Sequence, residues 1–268
     1  KIIDDYKINA VDSLDQLLNE IKLEKLIIGK VEEYLVNIVT NFIDSSKLKN
    51  LFIAVDGVPH KSKMLEQKKR RYMGTVISEL KNKIFEKYEE ELMENKVRYE
   101  YEKNKINWSK INISPGTPFM VLISELLGKM KSKFHELCGN LKEYEYSDSN
   151  VFGEGEKKIT DYIHKYKKDI SGNIVVYSPD SDMTILCLIM SNHVSNEMTI
   201  LRHNQQENNY DVIDVGKLKD NIFGYVMDKV KFSLKISSVI SDIAFILTIF
   251  GNDFLPKMES FNVAYDFD

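Results

Sequence analysis

The sequence predicts an α/β fold with a central, mostly parallel sheet and a long charged helical arm. Short apolar runs alternate with segments of helical periodicity, which is typical of parallel sheets connected by helices. The stretch from about 61 to 107 has no proline and a single glycine, and it is dense in Lys, Glu and Tyr. It therefore indicates one long or two consecutive solvated helices, with a partly disordered charged arm as the alternative.

The individual elements follow from hydrophobic periodicity and turn residues. Gly, Pro and Asp residues mark the ends of the predicted strands, and a capping residue such as Thr117 marks the start of a helix. The predicted order is a helix over 27–43, a strand over 51–55, the arm, a helix over 118–137, a strand over 142–146, a helix over 154–166, a strand over 174–177, a helix over 182–191, and two edge strands over 198–202 and 211–215.

Composition limits the class of protein. The 268 residues are 43% hydrophobic and 29% charged, as in an ordinary globular chain, and we expect a single domain over 1–268, with two small domains as the alternative. The net charge of −4 gives no general signature of nucleic-acid binding, so any surface that binds phosphate must be local. The chain begins at Lys1 without a methionine, and we expect it to be part of a longer protein.

Two isolated cysteines, Cys138 and Cys187, indicate a reducing compartment and give no ligand spacing for structural zinc. The longest apolar stretch, 239–250, is interrupted by Ser241 and Asp242 and is too short to cross a bilayer. We therefore expect an intracellular protein with no membrane partner, in the cytoplasm rather than the nucleus.

Acidic residues stand where the pattern predicts the end of an apolar strand or the start of a helix. A carboxylate in such a place is costly unless a cation compensates for it. Four separate segments supply these acids, which suggests a shared site for divalent ions such as Mg²⁺. The predicted ligands and catalytic residues are Asp56, Glu154, Glu156, Asp180, Asp182 and Asp253.

Two of these segments carry acids two residues apart. Asp180 and Asp182 would point the same way if they lay on an extended strand end, and the glycines around Glu154 and Glu156 would let the backbone approach a ligand. Either pair could instead serve as helix N-caps or as first-turn acids favoured by the helix dipole. Capping does not explain Asp56 or Asp253 equally well.

A second group of residues is cationic. Lys63, Gln67, Arg70 and Arg71 follow the spacing i, i+4, i+7 and i+8, which places them on one face of a helix. Two guanidinium groups and two further donors suit a phosphate monoester. The alternative is an ordinary solvated charged face. His60 lies close to this group and is the histidine of most interest.

These residues stand in blocks that resemble the XRN-type 5′→3′ exoribonucleases. The matching blocks, in the family's order, are FIAVDGVPHKSKMLEQKKRR, INISPGTPFM, SDSNVFGEGEKKITDYI, YSPDSDMTIL and FGNDFLP. The resemblance implies a flap-nuclease/PIN-like three-layer fold and a Mg²⁺-dependent site with two ions, Mn²⁺ being an alternative. It assigns the six acids to the metals and Lys63, Gln67, Arg70 and Arg71 to the 5′-phosphate pocket. The implied substrate is single-stranded RNA with a 5′ monophosphate, degraded processively.

Two alternatives stay open, one because of a departure from the family and one because acids of this kind also serve DNA nucleases. The family has a further acid on an N-terminal strand, and KIIDDYKINA lacks the apolar strand and glycine that would let Asp5 take this role. A catalytically inactive RNA-binding or scaffold relative is therefore one alternative. A flap-type 5′ DNA nuclease is the other, although a face that grips the 5′ end argues against threading of a strand. The composition, rich in Lys, Asn and Ile, is compatible with a viral or protist source.

Overall fold

Strands and helices alternate in the computed structural model, which describes residues 20–94, 110–204 and 207–249. These residues form two compact units, with the boundary between Gly153 and Glu154. Both units mix helices with short strands, so the α/β class predicted from the sequence is confirmed. The prediction of one domain over 1–268 stays a prediction.

The first unit is built on a parallel pair of strands. Its elements are α1 (Glu20–Asn41), β1 (Asn50–Ala54), α2 (Lys61–Lys87), α3 (Glu89–Glu94), a 3₁₀ turn (Lys110–Asn112), α4 (Pro118–Leu137) and β2 (Glu143–Ser147). Strands β1 and β2 pair in register from Asn50 opposite Glu143 to Ala54 opposite Ser147. Both predicted strands are therefore found, each displaced by one residue.

Helices α1 and α4 form the core of this unit together with the two strands. Leu127, Met130 and Phe134 of α4 are almost fully buried because they recur at helical spacing on one face. The hydroxyl of Tyr144 on β2 donates a hydrogen bond of 2.7 Å to the carbonyl oxygen of Leu127. Helix and strand are thereby joined both by apolar packing and by one buried polar contact.

The charged arm is helical over its described part. Helices α2 and α3 cover 61–87 and 89–94, and none of their residues is buried in the part of the chain that the structure describes. Helix α2 therefore gains little from packing and depends on local helical propensity and charge pairs. The remainder of the predicted arm, 95–107, lies outside the described residues.

The second unit contains a three-stranded sheet. Its elements are α5 (Gly155–Tyr166), β3 (Ile174–Tyr177), α6 (Asp182–Met190), β4 (Met198–Asn204), β5 (Asn209–Asp214), α7 (Val215–Met227) and α8 (Ile236–Ile249). The strand order is β3-β4-β5, with β3 and β4 parallel and β4 and β5 antiparallel. The fully buried side chains of Met183, Cys187, Ile200 and Val215 lie in its core.

The prediction that residues 198–202 form an edge strand is wrong. Strand β4 lies in the centre of its sheet, and Ile200 and Leu201 are both buried because the strand is covered on two faces. Strand β5 is at the edge, as predicted. It runs antiparallel because only a short connection separates it from β4, and a parallel pairing needs a long crossover.

No helix in the described ranges is long and apolar enough to cross a membrane. The two cysteines are buried as free thiols, and burial raises the pKa of Cys187 to about 12. Such a thiol is inert at neutral pH, as expected for a structural residue.

A close backbone approach after β1 depends on a glycine. The N–H group of Gly57 donates to the carbonyl oxygen of Gly153 at 2.8 Å, and the N–H group of Gly153 donates to that of Val58 at 3.0 Å. A Cβ atom added to Gly57 would lie 1.8 Å from the carbonyl oxygen of Val151. Since backbone atoms cannot rotate away, only glycine fits at position 57.

We predict that Gly57→Ala lowers the free energy of unfolding by about 3 kcal/mol, because the loop over 151–153 must be pushed away from β1. Thermal and urea unfolding measure this loss. Gly74→Ala is the matched control, since nothing lies within 4 Å of the position of its Cβ atom in α2. That variant should be more stable by about 0.5–1 kcal/mol. Equal effects of the two substitutions would contradict the close approach.

Candidate active site

The first predicted acid, Asp56, follows strand β1 in the first unit. The hydrogen bond from the N–H group of Val55 to the carbonyl oxygen of Ser147, at 2.8 Å, continues the pairing of β1 with β2 up to this point. The next residue is Gly57, whose tight contact with the loop over 151–153 fixes the backbone on the other side of Asp56. The side chain of Asp56 is exposed, so a rigid backbone presents this carboxylate at the surface of the unit.

Glu154 and Glu156 mark the start of helix α5 in the second unit. Glu154 occupies the N-cap position, but its side chain makes no capping hydrogen bond to the helix. Glu156 lies in the first turn and is partly buried. The alternative that Glu154 is a capping side chain is therefore not supported by its geometry, although its position in the chain is that of a cap.

Asp180 and Asp182 do not lie on an extended strand end; Asp182 is instead an acid in the first turn of α6, as in the alternative interpretation. Strand β3 ends at Tyr177, and the chain turns into α6 before Asp182. The N–H group of Asp180 donates to the hydroxyl of buried Ser178 at 3.2 Å, and the N–H group of Asp182 donates to Oδ1 of Asp180 at 3.2 Å. Asp180 thus stabilises the start of α6 through Oδ1, and its side chain also takes part in a hydrogen bond with Glu156.

The structure brings together Glu154, Glu156, Asp180 and Asp182, which we name the acidic cluster. The pKa of Glu156 is raised to about 7, first by burial and then by the negative charges of the other three members and a side-chain hydrogen bond with Asp180. At the first turn of a helix, the dipole alone would favour the charged carboxylate and lower its pKa. The opposite direction shows that burial and repulsion among the carboxylates outweigh the helix dipole at Glu156.

A cluster of this composition has the donor chemistry for a hard divalent cation. Carboxylate oxygens are the ligands that Mg²⁺ prefers, and a cation would remove the repulsion that keeps Glu156 protonated. Within 20–94, 110–204 and 207–249, however, no group of three or more His, Cys, Asp or Glu side chains is already arranged to hold a metal. The four carboxylates are therefore close enough to affect one another but are not preformed as a coordination shell.

The acidic cluster comprises four of the six predicted ligands. Asp56 belongs to the first unit and the acidic cluster to the second. Asp253 lies outside the described residues. Their roles as ligands stay predictions.

The predicted phosphate-binding residues lie on α2, as their spacing requires. Lys63, Gln67, Arg70 and Arg71 all fall within this helix, which begins at Lys61. We name this group the cationic face. The side chain of Arg70 is 66% exposed, and its Nη1 atom lies 3.7 Å from Oε1 of Glu66 one turn earlier. An exposed pair at this distance is weak, so a phosphate could compete with Glu66 for Arg70.

Arg71 has a partner that the sequence did not reveal. Its Nη2 atom donates a hydrogen bond of 3.0 Å to the hydroxyl oxygen of Ser114, which is buried. Since 43 residues separate the two, no local spacing could have indicated the contact. Glu66 was also missed as a member of the site, although its i, i+4 spacing to Arg70 is a signal visible in the sequence.

His60 lies immediately before α2 and contacts an aromatic ring. The ring centroids of His60 and Phe152 are 4.9 Å apart and the rings are nearly perpendicular. This edge-to-face geometry is one of the preferred arrangements of aromatic pairs. His60 is exposed and Phe152 is 57% exposed, so the pair lies at the surface of the first unit.

We predict that the stability of the metal-free protein depends on the protonation of Glu156. The pKa of Glu156 is about 7 in the folded chain against an ordinary value of 4.5. The folded state therefore binds this proton more tightly than the unfolded state. The resulting contribution to the free energy of unfolding is complete below pH 4.5 and is lost as the pH rises through about 7. Glu156→Gln should remove this decline in the free energy of unfolding. For one proton the slope of the decline cannot exceed about 1.4 kcal/mol per pH unit.

Urea unfolding between pH 5 and pH 8 in the presence of EDTA measures this dependence. Asp161→Asn is the matched control, since Asp161 lies on the same helix, is exposed and pairs with Lys157 outside the acidic cluster. It should leave the slope with pH unchanged. A slope that is the same in the wild-type chain and in Glu156→Gln would contradict the burial and repulsion at Glu156.

Comparison with known proteins agrees with these features. The family model described as XRN 5′-3′ exonuclease N-terminus matches residues 2–204. This range contains all the predicted site residues except Asp253. The matched part includes α2 with its cationic face, and both segments of the acidic cluster.

Curated relatives carry names consistent with that family. A putative 5′-3′ exonuclease of Acanthamoeba polyphaga mimivirus is 38% identical over 203 residues, which cover 70% of this chain and 32% of the relative. The 5′-3′ exoribonuclease 2 of Schizosaccharomyces pombe is 32% identical over 148 residues, covering 52% of this chain and 15% of the relative. The 5′-3′ exoribonuclease 2 homolog of Drosophila melanogaster is 33% identical over 191 residues, covering 68% and 20%.

The chain spans about a third or less of the length of each of these relatives. The family model, by contrast, describes an N-terminal region and matches most of the chain. On the strength of that match, the chain belongs to the XRN 5′-3′ exonuclease N-terminus family.

Proposed function

We propose that this chain carries the nuclease site of a 5′→3′ exoribonuclease that hydrolyses single-stranded RNA with a 5′ monophosphate. Membership of the XRN family and the names of its relatives support a nuclease that acts on RNA. The observation that carries the proposal for this chain is the raised pKa of Glu156, since it reflects carboxylates gathered from two distant segments. Such a group has little use in a protein that only binds RNA.

The acidic cluster is proposed to hold Mg²⁺, with Mn²⁺ as a substitute and two ions in all. Glu154, Glu156, Asp180 and Asp182 would act as ligands, and the sequence prediction adds Asp56 and Asp253. The chemistry supplied at such a site is activation of water and neutralisation of charge on the leaving 3′ oxygen. The chain's own contribution is to hold the carboxylates at the rigid starts of α5 and α6 and to keep Glu156 partly shielded from water.

The cationic face is proposed to bind the terminal phosphate. Lys63, Arg70 and Arg71 supply positive charge and Gln67 an amide donor, a combination that matches a phosphate monoester. Binding of the end of the chain, rather than of an internal phosphate, would set the polarity of degradation. No residue of α2 is buried, although Lys63 and Gln67 are half-buried, so an RNA end can reach the donors of this helix from solvent.

The type of fold and the cellular location belong to the same proposal. The fold is proposed to be the three-layer PIN-like arrangement of flap nucleases, and the protein is proposed to act inside the cell, in the cytoplasm. The buried free thiols Cys138 and Cys187 support a reducing compartment.

The hydrolysis of matched RNA and DNA strands with a 5′ phosphate tests the choice of substrate, since release of nucleotides from RNA alone is expected.

We predict that Asp180→Asn combined with Asp182→Asn reduces RNA hydrolysis in Mg²⁺ by at least about a thousandfold, since two anionic ligands are lost. Asparagine retains an oxygen that can accept the hydrogen bond from the N–H group of residue 182, so α6 should remain capped. Time courses of nucleotide release measure the loss, and circular dichroism checks the fold.

The matched control for this loss is Asp161→Asn combined with Asp169→Asn, two exposed acids in the same unit. This variant should keep wild-type activity. Full activity of the Asp180 and Asp182 variant would refute the proposed ligands.

We predict that Arg70→Ala lowers the preference for RNA with a 5′ phosphate over RNA with a 5′ hydroxyl by about tenfold or more, because a charge-assisted hydrogen bond is lost. The ratio of the two hydrolysis rates is the measurement. Lys69→Ala is the control, since Lys69 is an exposed cation on another side of the same helix. The cationic face is not the phosphate pocket if both variants keep the wild-type ratio.

A further inference from the structure

Helix α2 carries the cationic face, yet none of its 27 residues is buried in the described structure. Burial in a core therefore does not fix the arginine side chains of this helix. Arg71 is held in a different way, through the 3.0 Å hydrogen bond from its Nη2 atom to the hydroxyl oxygen of Ser114. Ser114 is only 8% exposed, in contrast to the exposed surface of α2.

Hydrogen bonds and a tight turn hold the backbone around Ser114 in one conformation. Pro115 and Gly116 occupy the central positions of a turn, and the φ angle of +86° at Gly116 is typical of the third residue of a type II turn. The N–H group of Thr117 closes the turn by donating to the carbonyl oxygen of Ser114 at 3.2 Å. The hydroxyl of Thr117 is directed to the same carbonyl oxygen at 2.9 Å and to that of Asn112 at 2.5 Å.

The use of Thr117 differs from its predicted role. Thr117 stands at the N-cap position of α4, but its hydroxyl makes no capping hydrogen bond and closes the preceding turn instead. Pro118 begins α4, and the next two residues, Phe119 and Met120, are buried in the core of the first unit. The turn is thereby anchored directly to the core, and the hydroxyl of Ser114 is presented from a rigid support.

We propose that Ser114 is a positioning residue for the 5′-phosphate pocket, acting through Arg71. A guanidinium group has five N–H donors, so one hydrogen bond to Ser114 leaves donors to meet a phosphate. A free arginine side chain loses rotamer freedom when it is immobilised by a ligand. An arginine already held by Ser114 has lost part of this freedom before RNA binds, and its affinity for the phosphate is correspondingly higher.

The inference rests on the proposed phosphate pocket and assigns a role within it to a residue outside α2. It differs from a purely structural role, in which Ser114 would only attach the arm to the rest of the unit. A structural role changes stability and affects RNA with either 5′ end equally. A positioning role changes the preference between the two ends.

The test measures binding of one short single-stranded RNA oligonucleotide prepared with a 5′ monophosphate or with a 5′ hydroxyl. Fluorescence anisotropy in EDTA gives the two dissociation constants without hydrolysis. Ser114→Ala should reduce the preference for the phosphorylated end by about tenfold, since a hydrogen bond to a charged group is removed. Ser114→Thr retains the hydroxyl and should restore the preference, and Ser62→Ala, an exposed serine on α2, should leave it unchanged.

A double-mutant cycle with Arg71 identifies the route of the effect. If Ser114 acts through Arg71, Ser114→Ala should cause no further loss of preference in an Arg71→Ala background. Additive losses would overturn the proposal, and so would a Ser114→Ala variant that melts at a lower temperature but keeps the wild-type preference.

Failure of the phosphate pocket itself can be recognised in the same experiment. Arg70→Ala and Arg71→Ala would then both keep the wild-type preference, and the proposed pocket would fall together with the role of Ser114. A loss of preference in these two variants without a loss in Ser114→Ala would refute the positioning role alone.

Discussion

Repulsion among carboxylates is the interaction on which the candidate site depends. Glu156 is partly buried near Glu154, Asp180 and Asp182, and its pKa is raised even though the start of a helix favours negative charge. Carboxylates gathered in this way lower the stability of the fold when they are charged. We propose that a cation completes this site.

The scaffold around these acids is made from the starts of helices and the ends of strands. In the second unit, β3 delivers the chain to a turn at Ser178 and Asp180, and α6 begins directly after it. In the first unit, the tight approach of Gly57 to the loop over 151–153 holds the backbone on one side of Asp56. Both devices use hydrogen bonds donated by backbone N–H groups, and both place carboxylates where a strand has ended or a helix begins.

The positive charges of the chain are also concentrated locally. The chain is acidic overall, with a net charge of −4, but the first turns of α2 carry a dense group of Lys and Arg. An exposed helix can hold such a group because each cation remains solvated, whereas a buried one would need counter-charges. Exposed side chains keep rotamer freedom, which they lose when a ligand binds. The contact between Arg71 and Ser114 limits that freedom at one position.

The sequence by itself determined the kind and order of the main elements from α1 to β5, the α/β class, the family resemblance and the face shared by Lys63, Gln67, Arg70 and Arg71. These features are local, since the periods of helices and strands and the motifs around Asp56, Glu154 and Asp180 are read from neighbouring residues. Only the tertiary structure decided that β4 is central, that Asp180 lies on a turn, and that Ser114 holds Arg71. It also decided the protonation of Glu156, because burial and the charges of distant segments depend on how the chain folds back on itself and not on any spacing along it.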